Sequence, residues 1–321
     1  MMRAYRLRPY EQVRWEGDNF SPKELEPFAW IDSCGVSKET LQAIEKHFGI
    51  RFPSKQEQAE IEASSRYHEE DDQVRIILRL IEVRPGPEDE LTLQEQDLSI
   101  IWTPERLFTH RSADSRVFQD LVRRLKSNPE IGESPLWLLI ALLGQVVDVD
   151  ADNIEIISQH IYRLSTAIRQ ADFSEREKII LAVQTLQEYL IRLREGLFDI
   201  QRVLSLLIRS GRLTDSPREA VRILLKDISS LIDHTSFSFQ RLESIQNTIL
   251  SLINLEQNRI IKIFTVITVA FMPPTLIASI YGMNFRFMPE LDWEWGYGFA
   301  WLLIVGSSVV TLWYFRWRRW L

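Results

Sequence analysis

Asn258, Ile261, Thr265, Thr268, Met272, Thr275 and Ser279 recur at three- and four-residue intervals, so they share one face of a helix; five of these seven are polar and none is charged. Gly282, Met283 and Asn284 follow directly. Bare metal ions inside a membrane are usually held by carboxylates, whereas this face offers only neutral oxygens. Hydroxyl and amide oxygens accept hydrogen bonds from water, which suits a cation that keeps its hydration shell. Asn284 supplies an amide oxygen, and Gly282 permits a backbone bend that presents carbonyls. Ile261 and Met272 interrupt the polar positions and would form apolar constrictions that gate by dewetting. The competing reading is that the hydroxyls bond back to the preceding turn or pack between helices.

Two uncharged runs carry these residues: Ile263 to Phe285, 23 residues, and Trp295 to Phe315, 21 residues. About 20 apolar residues cross a ~30 Å hydrocarbon core, so both can span. The alternative is a pair of buried core helices in a soluble protein. Flanking charges argue against it: Arg259 and Lys262 precede the first run, and Arg316, Arg318 and Arg319 follow the second. The connection instead sets Arg286 against Glu290, Asp292 and Glu294. By the positive-inside rule both ends are cytoplasmic and the connection faces outward. Tyr281, Trp293, Trp295, Tyr297, Trp313, Trp317 and Trp320 are placed as interfacial anchors.

Upstream, Val221, Leu224, Ile228, Leu231, Thr235, Ser238, Leu242, Ile245, Ile249 and Leu252 make a coiled-coil-like seam. A helix from Pro217 to Tyr281 would hold 65 residues and measure about 100 Å. Such a helix needs support from the preceding helices and from copies of itself, which predicts a homo-oligomer. Two spans cannot enclose a conduit alone, and the polar face leads to the same expectation.

Of the 38 basic and 45 acidic side chains, six and three lie beyond residue 258, leaving 32 and 42 in the soluble part. A body near −10 argues against nucleic acid and is compatible with cation binding. Cys34 is the only cysteine, which excludes a disulfide framework and a thiolate metal site. Met1 to Gly17 has no apolar stretch of signal-peptide length, so the first span would serve as its own insertion signal. The five histidines are dispersed, no GxxxxGK segment is present, and no enzyme site is found.

The first part of the chain reads as α/β, with strands at Ala29 to Asp32, Val74 to Val83, Leu98 to Trp102 and Leu107 to Thr109. Ser37 caps a helix over Lys38 to Phe48 that Gly49 ends, and Asp114 to Lys126 has helical spacing. After Ser134-Pro135 the pattern is helical throughout. Capping boxes at Ser174/Glu177 and Ser216/Glu219 open the two later helices, the first reaching about Arg209.

Mg2+ is the common biological cation that gives up water most reluctantly. The residues now resemble a known family. Gly282-Met283-Asn284, then Met288-Pro289-Glu290-Leu291, with Met272-Pro273-Pro274-Thr275 inside the first span and a basic C-terminus, resemble the CorA family of magnesium transporters. Ile253 to Lys262 is similar to its proteobacterial members, and Ile61-Glu62-Ala63-Ser64 and Glu69-Glu70-Asp71-Asp72 extend the likeness.

The resemblance implies a funnel-shaped homopentamer in the bacterial inner membrane, with α+β cytoplasmic domains, long stalk helices and two C-terminal transmembrane helices. The expected division is a cytoplasmic α/β domain over 1–130, a helical stalk over 131–258 and a pore-lining span over 259–285. An external loop over 286–294, a second span over 295–316 and a basic cytoplasmic tail over 317–321 complete it. It places the selectivity filter on Gly282, Met283 and Asn284, polar pore positions on Asn258, Thr268 and Thr275, and a hydrophobic gate on Ile261, Phe264 and Met272.

Spacing favours Thr265 where the family likeness favours Phe264. Arg286 departs from the family's frequent acidic residue, so attraction of cations would rest on Glu290, Asp292 and Glu294. Family members sense internal Mg2+ through carboxylates between neighbouring domains; Glu88, Asp89, Asp227 and Asp233 are candidates. The implied partners are other copies of the chain, the bilayer and divalent cations, with Mg2+ as substrate and regulatory ligand, no covalently bound cofactor, and no ATP. Cobalt is a second expected cargo. A zinc, cobalt or nickel transporter of the same architecture, or a non-conducting membrane-anchored scaffold, are the alternatives.

Overall fold

The computed structural model describes residues 1–7, 11–15, 20–54, 57, 66–70, 72–86, 90–168, 173–284, 286 and 288–318, with the side chains of 173, 174, 290 and 291 excepted. It divides into two units, Met1–Gln246 and Asn247–Leu321.

In the first unit the described residues form a seven-stranded mixed sheet: β1 (Met2–Arg6), β2 (Glu11–Trp15), β3 (Trp30–Cys34), β4 (Tyr67–Glu70), β5 (Gln73–Pro85), β6 (Leu91–Trp102) and β7 (Leu107–Arg111). The order is β2-β1-β3-β7-β6-β5-β4, and only β3 and β7 run parallel. The four strands expected from sequence are β3, β5, β6 and β7. The expectations missed β1 and β2 because Arg3, Arg6, Glu11 and Arg14 hide a period-two pattern, and β4 because its residues are mostly exposed and charged.

Helix α1 (Lys38–Phe48) begins and ends as its caps dictate. Ser37 Oγ accepts from the Thr40 amide at 3.2 Å, and Gly49 takes the left-handed φ of 66°. It covers one face of the sheet, where Ile44 joins Met2, Ala4, Ile31, Ile101 and Phe108. Helix α2 (Arg116–Ser127) starts at the Ser115 cap and buries Val117, Phe118, Leu121, Val122 and Leu125.

Two long helices follow, α3 (Pro135–Ala167) and α4 (Phe173–Arg209), and both reach β5. Asn153 on α3 makes the most informative of these contacts. β4 pairs with Gln73 to Ile76 of β5 and the Ile77 amide donates to the Arg66 carbonyl at 3.0 Å, leaving the edge beyond without a strand partner among the described residues. The Asn153 amide closes part of it: Nδ2 donates to the Ile81 carbonyl at 2.8 Å and Oδ1 accepts from the Val83 amide at 3.0 Å. A side chain thus replaces a strand where two buried backbone groups would otherwise lack partners.

The third long helix, α5 (Asp215–Tyr281), passes through both units as 67 residues. It starts before the expected capping box. The Arg218 amide donates to the Thr214 carbonyl at 3.0 Å, so Thr214 precedes the first turn and Ser216 lies inside it. Similarly, α4 begins at Phe173 and takes in Ser174, whose side chain lies outside the described residues. The seam is real as a buried face: Val221, Ile228, Thr235, Ser238, Leu242, Ile245 and Ile249 are buried, with Leu224, Leu231 and Leu252 half-buried. Its partner in the first unit is α3 of the same chain. A Cβ on Gly144 would lie 3.5 Å from Leu224, and Ser158 and Ser238 hydroxyls are 3.5 Å apart. At Leu224 and Ser238 the seam thus packs within one copy. The second unit holds the rest of α5 and α6 (Gly296–Trp317), joined by a 3₁₀ turn at Pro289–Asp292.

Candidate functional site: the exposed polar face of α5

Both apolar segments stay helical and largely uncovered. Only 17% of the most apolar stretch of α5 and 6% of that of α6 are buried, whereas the core helices of a soluble protein would be mostly buried. Pro273 and Pro274 lie within α5 without ending it.

The burial along α5 is one-sided. Val266, Ala270 and Pro274, at four-residue spacing, are buried, and Pro273 and Ile277 are half-buried beside them. At about 100° per residue, Ile261, Thr268, Met272, Thr275 and Ser279 cluster on the opposite side. All five are exposed, as is Asn258. Phe264 and Thr265 sit roughly 50° to either side of that cluster's centre, so both border the same face.

The hydroxyls on this side do bond back to the preceding turn. Thr265 donates to the Ile261 carbonyl at 2.7 Å, Thr268 to Phe264 at 2.9 Å and Thr275 to Phe271 at 2.7 Å. A hydroxyl whose proton is committed in this way retains two acceptor lone pairs. Back-bonding therefore leaves the face able to accept hydrogen bonds. Ile261, Phe264 and Met272 add apolar side chains that are 61%, 66% and 61% exposed, an uncovered surface that needs either lipid or other copies of the helix.

At the end of α5 the Gly282 amide donates to the Ala278 carbonyl at 3.0 Å and the Met283 amide to Ile280 at 3.2 Å. Gly282 is not among the glycines with positive φ, so the bend needs no left-handed residue. What glycine provides is space: a Cβ there would stand 3.2 Å from the Ala278 carbonyl oxygen. Met283 and Asn284 are exposed and outside regular structure. Asp292, Glu294 and Arg286 in the connection are also exposed. Phe285 and the Glu290 side chain lie outside the described residues, as do Ile61 to Ser64, Asp71, Arg319 and Trp320.

Of the four candidate sensing carboxylates, two are described. Asp227 and Asp233 are exposed on α5 about 120° apart, and Glu88 and Asp89 lie outside the described residues. Among the described residues no three His, Cys, Asp or Glu side chains gather as a metal-holding group.

Sequence reasoning missed a buried polar network beneath β1. Arg111 pairs with Asp32, both fully buried, and also reaches Asp114 at 3.2 Å. Arg3 meets the same Asp114 at 3.2 Å, and Trp30 Nε1 donates to Thr109 Oγ1 at 3.1 Å, which donates to Asp32 at 2.8 Å. Burial pushes the Asp114 carboxyl up, but its hydrogen bonds and charge contacts with Arg3 and Arg111 outweigh that and hold it at about 2. Local pattern gave no signal for it, because Arg3 is buried along with its neighbours Met2, Ala4 and Tyr5.

Comparison with known proteins bears on the family and the fold. The model of the CorA-like Mg2+ transporter protein family matches residues 26–319. The magnesium transport protein CorA of Wolinella succinogenes is 33% identical over 301 residues, covering 94% of each chain. That of Escherichia coli is 32% identical over 322 residues and covers 100% of both. Among solved structures, the complete CorA magnesium transporter of Methanocaldococcus jannaschii superposes with a TM-score of 0.76 at 24% identity, covering 98% of this chain and 96% of that one, which shows a shared fold. With the family model matched over nearly its whole length, this chain belongs to the family of CorA-like Mg2+ transporter proteins.

Proposed function

We propose that the protein is a homopentameric channel of the bacterial inner membrane that admits hydrated Mg2+. Both termini are cytoplasmic. The carrying observation is the exposed face of α5, whose threonine hydroxyls are committed donors and free acceptors. Water bound to Mg2+ directs its protons outward, so an acceptor-only lining recognises the hydrated ion without removing its shell. Relatives named magnesium transport proteins support the choice of cation.

In this reading Gly282, Met283 and Asn284 form the outer ring, and Asn258, Thr268 and Thr275 continue the polar path. Ile261, Phe264 and Met272 close it by dewetting. Glu290, Asp292 and Glu294 raise the local cation concentration at the mouth. Residues 1–130 and 131–258 are the cytoplasmic domain and stalk; 259–285 and 295–316 span the bilayer, 286–294 face outward and 317–321 form a cytoplasmic tail. Internal Mg2+ closes the pore through carboxylates contributed by adjacent copies, with Asp227, Asp233, Glu88 and Asp89 as candidates. Cobalt is a second cargo.

Entry needs no ATP. A potential of 100 mV contributes about 2.3 kcal/mol per charge, or ~4.6 kcal/mol for a divalent ion entering a negative interior. Purified protein in liposomes with an imposed inside-negative potential should take up Mg2+, with Co2+, Ni2+ and Zn2+ tested as competitors. Uptake absent under a potential, or Zn2+ carried in preference to Mg2+, overturns the reading.

A further inference from the structure

In a chain of net charge −7, one cavity is walled by basic residues. It measures about 400 Å3, lies between the β1–β2 pair and α2, and is lined by Arg3, Arg14, Arg123 and Lys126 together with Asp114 and Gln119. The placement follows from register and helical period. Arg3 on β1 stands directly opposite Arg14 on β2. Gln119, Arg123 and Lys126 are spaced by four and three along α2 and so share a face.

Like charges directly opposite each other across a strand pair are destabilising unless something offsets them. For Arg3 the offset is Asp114, at 3.2 Å. Asp114 also serves Arg111, whose other partner is Asp32, so these two carboxylates and two guanidinium groups balance one another. Nothing is left over for the rest. Arg14 and Lys126 are exposed and have no ion-pair partner among the described residues. Arg123 touches Asp120 at 3.1 Å, but Asp120 is shared with Arg116 at 3.3 Å, and the Arg123 side chain is 79% exposed. Arg3 itself is buried, and its Nε has no acceptor. Three cationic side chains therefore converge on one cavity, and among the described residues the carboxylates beside them, Asp114 and Asp120, are each shared with other guanidinium groups. The volume falls in the ~300–1,000 Å3 range of small-ligand sites.

We propose that this cavity binds a linear triphosphate group, as carried by inorganic tripolyphosphate or a nucleoside triphosphate, in its magnesium-free form. Arg14, Arg123 and Lys126 supply the charge, and Arg3, fixed by Asp114, supplies a wall that needs no ordering on binding. Chelation by Mg2+ cancels part of the anion's charge, so the complexed form binds more weakly. Binding involves no hydrolysis, in keeping with the absence of a GxxxxGK loop, and leaves the expectation about the driving force for transport untouched. The inference stands on the first unit alone and is independent of any pore.

Isothermal titration of the full-length protein in detergent tests it, with sodium tripolyphosphate and ATP as separate probes in magnesium-free buffer. At least one should bind saturably at sub-millimolar concentration. The double variant Arg14→Gln/Lys126→Gln, at exposed positions that leave the fold in place, should weaken that binding by about tenfold for each charge removed. Lys226→Gln, an exposed charge elsewhere on α5, should not. Excess Mg2+ should weaken it as well. Tripolyphosphate binding with ATP excluded assigns the site to the inorganic anion, and the reverse assigns it to the nucleotide. Absence of saturable binding, binding indifferent to the double variant or to Mg2+, or capture only of oligonucleotide or anionic vesicles overturns the proposal.

Discussion

The Thr268 hydroxyl donates to the Phe264 carbonyl at 2.9 Å, and this bond makes its oxygen an acceptor only on an exposed face. The back-bonding that sequence reasoning set against a water-lined role is thus compatible with it. The same geometry recurs at Thr265 and Thr275, so the acceptors repeat along the helix.

Replacing that oxygen by a methyl group of similar shape isolates its role. Thr268→Val should lower Mg2+ flux severalfold, in line with about 1 kcal/mol for one hydrogen bond, while Thr268→Ser should retain most of it. Flux assays paired with size-exclusion chromatography separate this from an assembly defect. Equal flux in the valine and serine variants would remove the acceptor role.

The apolar members of the face should act in the opposite direction. Met272→Ser makes a dewetting constriction wettable, so flux at high internal Mg2+ should rise above that of the unaltered protein. A fall in flux would place Met272 elsewhere than at a gate.

Asn153 is expected to matter for stability instead of transport. Asn153→Ala strands the Ile81 carbonyl and the Val83 amide, both in a buried part of β5, at a cost of about 2–5 kcal/mol. Thermal unfolding followed by circular dichroism should show a markedly lower Tm. A shift comparable to that of an ordinary surface substitution would mean water or repacking satisfies the edge.

Two carboxyls give opposite pH slopes. Burial pushes Asp150 on α3 well above its ordinary 3.8, with a hydrogen bond from Asn153 opposing the shift. Its neutral form is favoured in the fold, so its contribution is fullest below 3.8 and is lost as pH rises toward the folded value. Asp114, held at about 2, contributes above 3.8 and is lost as pH falls toward 2. Asp150→Asn should therefore flatten the decline in stability on the alkaline side of 3.8, and Asp114→Asn the decline on the acid side. Denaturation midpoints across pH check both, and unchanged slopes would contradict them.

The legible parts of the sequence were those where local chemistry and periodicity agree. Ser37 and Gly49 bracket α1, and the three- and four-residue seam of α5 is buried as its pattern requires. What that pattern could not reveal is its partner. Leu224 packs over Gly144 and Ser238 over Ser158, and only a tertiary structure shows that α3 is the partner there. Helix starts slipped because proline at position 217 is tolerated anywhere in the first turn, so Pro217 did not locate the cap. The site was legible as a helical face because exposure follows the same period. The convergence of Arg14 with Lys126 depends on strand register and on where α2 lies, neither of which local sequence encodes.

The central claim, that the neutral oxygens at the end of α5 select a hydrated cation, is most directly tested at Asn284. Magnesium uptake should be measured in liposomes under an imposed potential without ATP, comparing the unaltered protein with Asn284→Ala. The account predicts uptake by the first and its loss in the second, with both forming the same oligomer. Undiminished uptake by the Asn284→Ala oligomer would contradict it.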